Sequence, residues 1–461
     1  VSARTTESSA AAAPLRVAVL ADSDTRWKWG ALTARRLAPA GREVRLDGRL
    51  LRGRATPTPR QLAEVGVEAD SLREVSAAEF LQEVQRAGGE DTAGEQPYDV
   101  VLLALVGGGV QAVLHGLRHV WAERGGLGAR RRPVVVTGYV GIVYEKLADG
   151  LLLRHGADLV LANSRQDADR FRAVYRGVGA DDGAVTEVAL PFLGGAPYRD
   201  AGEGGGDRPY TVVFAAQPSV PETRRDRLYL LERLVRHARR HPEREVLLKL
   251  RSRPGEHTTH VEELPYQKLV RALEQPPNLR LVYGHMGEVL DRTDLLVTVS
   301  STAALESLHR RIPTAVLTDL GVREALGNHH FTGSGVLASF DDLDAGHLPV
   351  PDERWLARQG VAADGGYASA FDTARERLTG LLEAPGLPPL APYYTLRTAP
   401  GYLPGILARH HLAPDGAPLP GAPLADRAPG PLRRAVRESA RGAYRHGVQR
   451  VAPLIRRLGE L

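Results

Sequence analysis

The feature that most constrains this chain is an alternation of short apolar runs with helical segments, which halts at a glycine-rich stretch and then begins again. Residues 15–21, 44–46, 98–105, 133–137, 157–162 and 185–190 read as strands, with helical segments at 29–37, 77–86, 110–121 and 165–175 among them. Ser76-Ala77-Ala78-Glu79 has the spacing of a capping box at the start of the second helix. Residues 194–209, GGAPYRDAGEGGGDRP, carry no apolar period and read as a flexible linker. Strand patterns then resume at 210–215, 246–250, 279–283, 294–299 and 314–317, with helices at 225–239, 260–273, 352–360 and 367–383. Strands separated by helices predict a parallel sheet covered on both faces. The expected architecture is α/β: two Rossmann-like, doubly wound halves, 15–193 and 210–384, facing a cleft. Ligands of such sheets bind beyond the carboxyl ends of the strands. Residues 48–95 read as a long insertion in the first half, and 1–14 as disordered.

Composition removes several classes of function. No stretch approaches the ~20 apolar residues of a transmembrane helix. Residues 10–21 are too short in apolar run, and broken by Arg16, to read as a signal peptide, so the expectation is a cytoplasmic protein. The absence of cysteine excludes disulfides and thiolate metal sites. A net charge of +5 gives no reason to expect nucleic acid. Lysine occurs only at 28, 146, 249 and 268, so arginine supplies almost all the positive charge. Residues 385–431 are proline-rich, and 432–461 place Leu432, Val436, Tyr444, Val448 and Val451 roughly opposite a set of arginines. That tail suits an anionic membrane surface, and equally a helix packed back on the body.

The most telling motif is Ser300-Ser301-Thr302-Ala303-Ala304-Leu305-Glu306, between the apolar run 295–299 and a helical segment. A strand that turns on hydroxyls and opens a helix can bind phosphate at the unpaired N–H groups of the helix start. Glu306, about one turn on, can accept hydrogen bonds from ribose hydroxyls. The alternative is a simple N-cap followed by a solvated glutamate.

Two such halves, with this helix start and downstream glutamate, resemble the GT-B glycosyltransferase architecture. The stretches Ala21-Asp22-Ser23-Asp24-Thr25-Arg26-Trp27-Lys28-Trp29-Gly30, Thr137-Gly138-Tyr139-Val140-Gly141-Ile142, Ala162-Asn163-Ser164 and Lys249-Leu250-Arg251 resemble an actinobacterial family of GT-B-type glycosyltransferases. The second half is more distantly similar to bacterial polysialyltransferases, CDP-glycerol polymerases and UDP-GlcNAc 2-epimerases. The resemblance implies a nucleotide-sugar donor in the second half and an acceptor, a glycan or lipid-linked group, in the first.

On this reading Asp22 or Asp24 is the base that deprotonates the acceptor, and Arg26, Lys28, Gly138, Tyr139 and Gly141 are acceptor-side residues. Gln217, Lys249, Arg251, Arg253, Ser300, Ser301, Thr302 and Glu306 are donor-side residues. His257 and His260 replace a histidine that the distant relatives place beside Pro254, where Arg253 stands here. Trp27 and Trp29 read as partly core, with one free to stack on a sugar. Glu306 lacks a partner glutamate upstream, which points to an inverting mechanism, and GT-B chemistry needs neither metal nor other cofactor. Rival expectations are a CDP-polyol phosphotransferase, a UDP-sugar 2-epimerase and a non-catalytic nucleotide-binding scaffold.

Overall fold

The computed structural model describes residues 13–53, 55–87, 97–123, 132–142, 147–200, 208–253, 264–361 and 366–422. The first half contains β1 (Leu15–Ala21), β2 (Val44–Leu51), β3 (Ser71–Val75), β4 (Val100–Ala104), β5 (Val134–Gly138), β6 (Leu159–Ala162) and β7 (Val185–Glu187). They form one parallel sheet in the order β3-β2-β1-β4-β5-β6-β7. The second half contains β8 (Thr211–Ala215), β9 (Glu245–Lys249), β10 (Leu279–Val282), β11 (Leu295–Thr298), β12 (Thr314–Leu317) and β13 (Leu337–Ala338). Their order is β10-β9-β8-β11-β12-β13, again all parallel. Each half therefore grows outward from its first strand and then reverses. The crevice lies between β1 and β4 in one sheet and between β8 and β11 in the other. This is the two-domain, GT-B-like arrangement. Strands β4, β5 and β6 are buried along their whole length, as expected where helices cover both faces of a parallel sheet.

The described residues of the expected insertion at 48–95 instead extend the sheet and cover it. β2 continues to Leu51, and the helix Pro59–Val65, β3 and the helix Ala77–Arg86 follow. Asp47 and Arg49 are buried inside β2, where an apolar pattern has a gap. Arg49 makes two-pronged contact with Glu83, at 2.9 Å and 2.5 Å, and Tyr98 donates to the same carboxylate at 2.6 Å. Gly48 is required by packing: a Cβ there would lie 2.7 Å from the Trp27 ring. The Ser76–Glu79 capping box forms as expected.

Ser23 caps the helix Asp24–Leu37, its Oγ accepting from the Arg26 N–H at 3.4 Å. Trp27 and Trp29 are both fully buried under this helix, so neither is available to a sugar. The Trp29 indole donates to Asn163 Oδ1 at 3.2 Å, tying the helix to the end of β6.

Beyond the second sheet the chain returns to the first. The helix Asp372–Glu383 packs on the helix Asp24–Leu37 and on β7. Leu390, Leu403, Leu407 and Leu412 are buried in the same cluster as Leu105, Val110 and Leu114. Residues 385–422 of the expected tail are thus built onto the first half, and 423–461 lie outside the described residues. Among the described residues no helix is long and apolar enough to cross a membrane.

Candidate active site between the two halves

A cavity of about 810 Å³ opens where the carboxyl ends of the two sheets face each other. Its walls come from both halves. Asp24, Thr25 and Lys28 project from the first helix, Gln61 and Glu64 from the helix Pro59–Val65, and Gly141 and Phe192 from loops. Opposite them stand Gln217, Lys249, Arg251, His285, Ser300, Ser301, Thr302 and Glu306.

The switch point of the second sheet is fastened by Gln217 and Ser300. The Ser300 N–H donates to Gln217 Oε1 at 2.9 Å, and Gln217 Nε2 donates to Ser300 Oγ at 3.1 Å. Ser300 Oγ in turn donates to the Leu326 carbonyl at 2.5 Å. Ser301 Oγ accepts from the Ala303 N–H at 3.2 Å. The Ser300 hydroxyl is therefore committed to the turn itself, whereas Ser301 Oγ is shown only as an acceptor there. Thr302 caps the short helix Ala303–His309, and among the described residues its hydroxyl has no hydrogen-bond partner. It faces the first half: a Cβ on Gly141 would lie 3.1 Å from Thr302 Oγ1.

Two cations of the cavity, Lys28 and Arg251, pair with carboxylates, and a third, Lys249, lies under the electrostatic influence of Glu64 and Glu306. Lys28 reaches from the first half to within 3.9 Å of Glu306 and lies 4.9 Å from the centre of the Phe192 ring. Burial pushes the Glu306 carboxyl above the usual carboxylate range, and Lys28, Arg310 and Lys249 only partly offset that. Lys249 donates to the Leu250 carbonyl at 2.9 Å. Burial lowers its pKa to about 8, with Glu64 and Glu306 opposing the change and Arg251 adding to it. Arg251 spans the cleft, its Nη2 lying 2.9 Å from Asp24 Oδ1. Burial works against ionisation of Asp24, but Arg251 and hydrogen bonds from Thr25 outweigh it and hold the carboxyl below its usual range.

Four of the expected acceptor-side or catalytic residues are not in the cavity wall. Asp22 Oδ1 accepts from Arg26 at 2.9 Å and Oδ2 from the Val106 N–H at 2.9 Å, so Asp22 and Arg26 brace the crevice of the first sheet. A Cβ on Gly138 would lie 2.8 Å from the Leu161 carbonyl oxygen, which makes this glycine a packing requirement. Tyr139 turns its ring under the Arg154 guanidinium, 4.0 Å from centroid to carbon, and buries its hydroxyl. On the donor side, Arg253 stacks over Tyr283 at 5.6 Å. His257 and His260 lie outside the described residues.

The cavity also holds residues that the sequence pointed to weakly or not at all. Glu64 sits in the stretch read as an insertion and faces Lys249 electrostatically. His285, in the turn after β10, lines the wall, and burial followed by the nearby Lys28 keeps its imidazole below the usual range. Its signal was Gly284, at φ +96°, which lets the chain turn sharply at the end of β10.

The profile of one protein family, described as "Putative glycosyltransferase (DUF6716)", matches residues 17–381 of the 461. The chain belongs to the DUF6716 family. As a DUF6716 protein it is assigned to the glycosyltransferases, and the match takes in both sheets and the whole cavity wall. No curated protein matches it. Among solved structures it is similar to the S. aureus MnaA–UDP co-structure, at 12% identity and TM-score 0.48, over 82% of this chain and 100% of that one. It is similar to the UDP-GlcNAc 2-epimerase of Neisseria meningitidis bound to UDP-GlcNAc, at 11% identity and TM-score 0.45, covering 79% and 100%. The DUF6716 chain is also similar to Arabidopsis thaliana UGT89C1 complexed with UDP-L-rhamnose, at 10% identity and TM-score 0.44, covering 86% and 99%.

Proposed function

We propose that this protein transfers a sugar from a nucleotide-sugar, held against the second sheet, to a hydroxyl of a glycan or lipid-linked acceptor held by the first half. The observation that carries this reading is the cavity itself. Its volume of about 810 Å³ is near the top of the range for small-molecule sites, and both halves supply charged walls. Room for a donor and an acceptor together favours a transferase over an epimerase, which needs no acceptor.

The reaction proposed is a direct, inverting displacement. The acceptor oxygen attacks the anomeric carbon, its proton passes to Asp24, and the bond to the nucleotide phosphate breaks. Lys249 and Arg251 take up the charge of the departing phosphate, a role that preorganised cations fill without a metal ion. Thr302 offers a hydroxyl donor on the same side. Asp24 is favoured over Asp22 because it lines the cavity. When Arg251 moves to the donor phosphate it releases Asp24, whose basicity then returns toward that of an ordinary carboxylate. Donor binding and activation of the base are thereby coupled.

A thermal-shift panel with CMP, CDP, UDP, GDP and dTDP identifies the donor class. A nucleotide at ~100 times its dissociation constant adds roughly 2.7 kcal/mol. Turnover of the matching nucleotide-sugar then decides the reaction. Acceptor-dependent release of nucleotide with a new glycoside supports the transferase. Interconversion of the sugar without acceptor means an epimerase, and a folded protein that binds none of the nucleotides means a scaffold.

A further inference from the structure

The second half carries a cluster of metal-ligand residues remote from the cavity. The helix Arg224–Arg240 follows β8 and runs back, so its last turn lies beside the start of β9, at the opposite edge of the sheet from the substrate. His237, 1% exposed, occupies that turn. Its Nδ1 lies 2.7 Å from Oδ1 of Asp344, at the end of the helix Phe340–Asp344. A carboxylate accepts only, so this contact puts the ring proton on Nδ1 and leaves a lone pair on Nε2. Among the described residues that buried Nε2 has no hydrogen-bond partner.

His241 repeats the pattern four residues on. It caps the helix, and its ring centre lies 4.7 Å from that of His237. Its Nδ1 faces Glu243 at 3.5 Å, while its Nε2 is also buried and unpartnered. Two buried acceptors side by side, neither with a donor, are costly for a folded protein to keep. One donor atom each from His237, His241 and Asp344 lies within 4.8 Å of the other two. Arg233 and Arg244 are competing charges here, Arg244 acting on both rings and pairing with Glu243 at 3.5 Å. Arg233 lies 3.5 Å from Asp344 Oδ2 and bonds Asp341 at 2.6 Å, which leaves Oδ1 toward His237.

We propose that His237, His241 and Asp344 form a binding site for one divalent transition-metal ion of the zinc type. Imidazole nitrogens four residues apart at a helix end, joined by a carboxylate from a second helix, are a donor set that suits such an ion. As placed, Asp344 holds the His237 ring as the outer carboxylate that ligating histidines commonly use, and it becomes a direct ligand only by giving up that hydrogen bond. The ion satisfies the acceptors and clamps the end of one helix to the end of another. Its role is structural, and it takes no part in sugar transfer.

The test uses the full chain, stripped with a chelator and dialysed, then titrated with zinc and separately with cobalt(II). The expected result is one zinc per chain, a melting temperature raised by several degrees, and visible absorption bands from bound cobalt. His237→Gln and His241→Asn abolish all three. Should His237→Gln fail to fold, His241→Asn, at a half-buried position, carries the test, with circular dichroism showing that it is folded. A wild-type chain that binds neither metal at micromolar concentration overturns the proposal. So does unchanged stoichiometry and cobalt absorption in folded His241→Asn, since the metal then sits elsewhere.

Discussion

Arg251 and Asp24, 227 positions apart in sequence, meet across the cleft with Nη2 2.9 Å from Oδ1. If Asp24 is the base, Asp24→Asn lowers kcat by ~10²–10⁴ while the nucleotide binds at least as tightly as to wild type, because Arg251 no longer has to leave a carboxylate. Steady-state kinetics together with nucleotide titration check both halves of the expectation. Asp22→Asn, which loosens a brace outside the cavity, should cost stability more than turnover.

Lys249 gives a pH signature. Its folded-state pKa of about 8 lies below its ordinary value of 10.5, so between those values the unfolded chain binds the extra proton. Its contribution makes folding more favourable as pH rises through that window. Donor affinity should move the other way, weakening above about pH 8 as the ammonium is lost. Lys249→Met removes both trends and weakens nucleotide binding about 10- to 100-fold, the worth of one charged hydrogen bond. Nucleotide titrations and melting curves from about pH 7 to about pH 10 provide the comparison.

Glu306 gives the opposite kind of trade. Burial raises its carboxyl pKa, so the folded chain holds that proton more tightly than the unfolded one. The stability this provides is present at low pH and is lost as pH rises from the unfolded value through the raised folded one. Glu306→Gln should therefore raise the melting temperature at neutral pH while weakening nucleotide-sugar binding. A variant that melts lower than wild type at neutral pH would show that the pairing with Lys28 outweighs the burial.

The buried pair between Arg49 of β2 and Glu83 of the helix Ala77–Arg86 is a stability test free of the active site. Glu83→Ala strands the Arg49 guanidinium and the Tyr98 hydroxyl, and should cost ~3–5 kcal/mol. Urea unfolding measures it.

The returning segment makes a further prediction. Leu403→Ala or Leu407→Ala, each at a fully buried position, should cost about 2–5 kcal/mol although both lie in a stretch that reads as tail. Chemical unfolding of the two variants checks this.

Much of the fold is legible because β4, β5, β6, β8 and β11 are buried along their length and appear as almost wholly apolar runs, and β1 is interrupted only by Arg16. β2 was read too short and β3 was not read, since Asp47, Arg49 and Arg73 satisfy their charges against Glu83 and Ser71, which no apolar pattern records. The segment 385–422 escaped for a related reason: its buried leucines are scattered among prolines and dock one at a time. Gln217, Lys249, Arg251, Thr302 and Glu306 line the cavity, and the sequence points to them because Lys249 ends β9 and the others come shortly after a strand. Glu64 and His285 owe their places to a neighbouring helix and a turn, and Gly138 and Tyr139 turned out to serve packing.

The chain passes between its halves twice, and the two passages lie side by side. Tyr367, on the way back, donates to the Leu190 carbonyl at 2.6 Å just before the outgoing stretch, and Arg310 of the second half donates to Gly194 at 2.7 Å within it. The apolar cluster there is continuous, with Leu190 and Leu193 on one side and Leu305, Phe331 and Trp355 on the other. Two bodies tethered at a single point can swivel freely, whereas two adjacent tethers with a greased seam between them leave one easy degree of freedom. The halves should swing like a door, and the coordinate that describes the swing is the gap between Arg251 and Asp24.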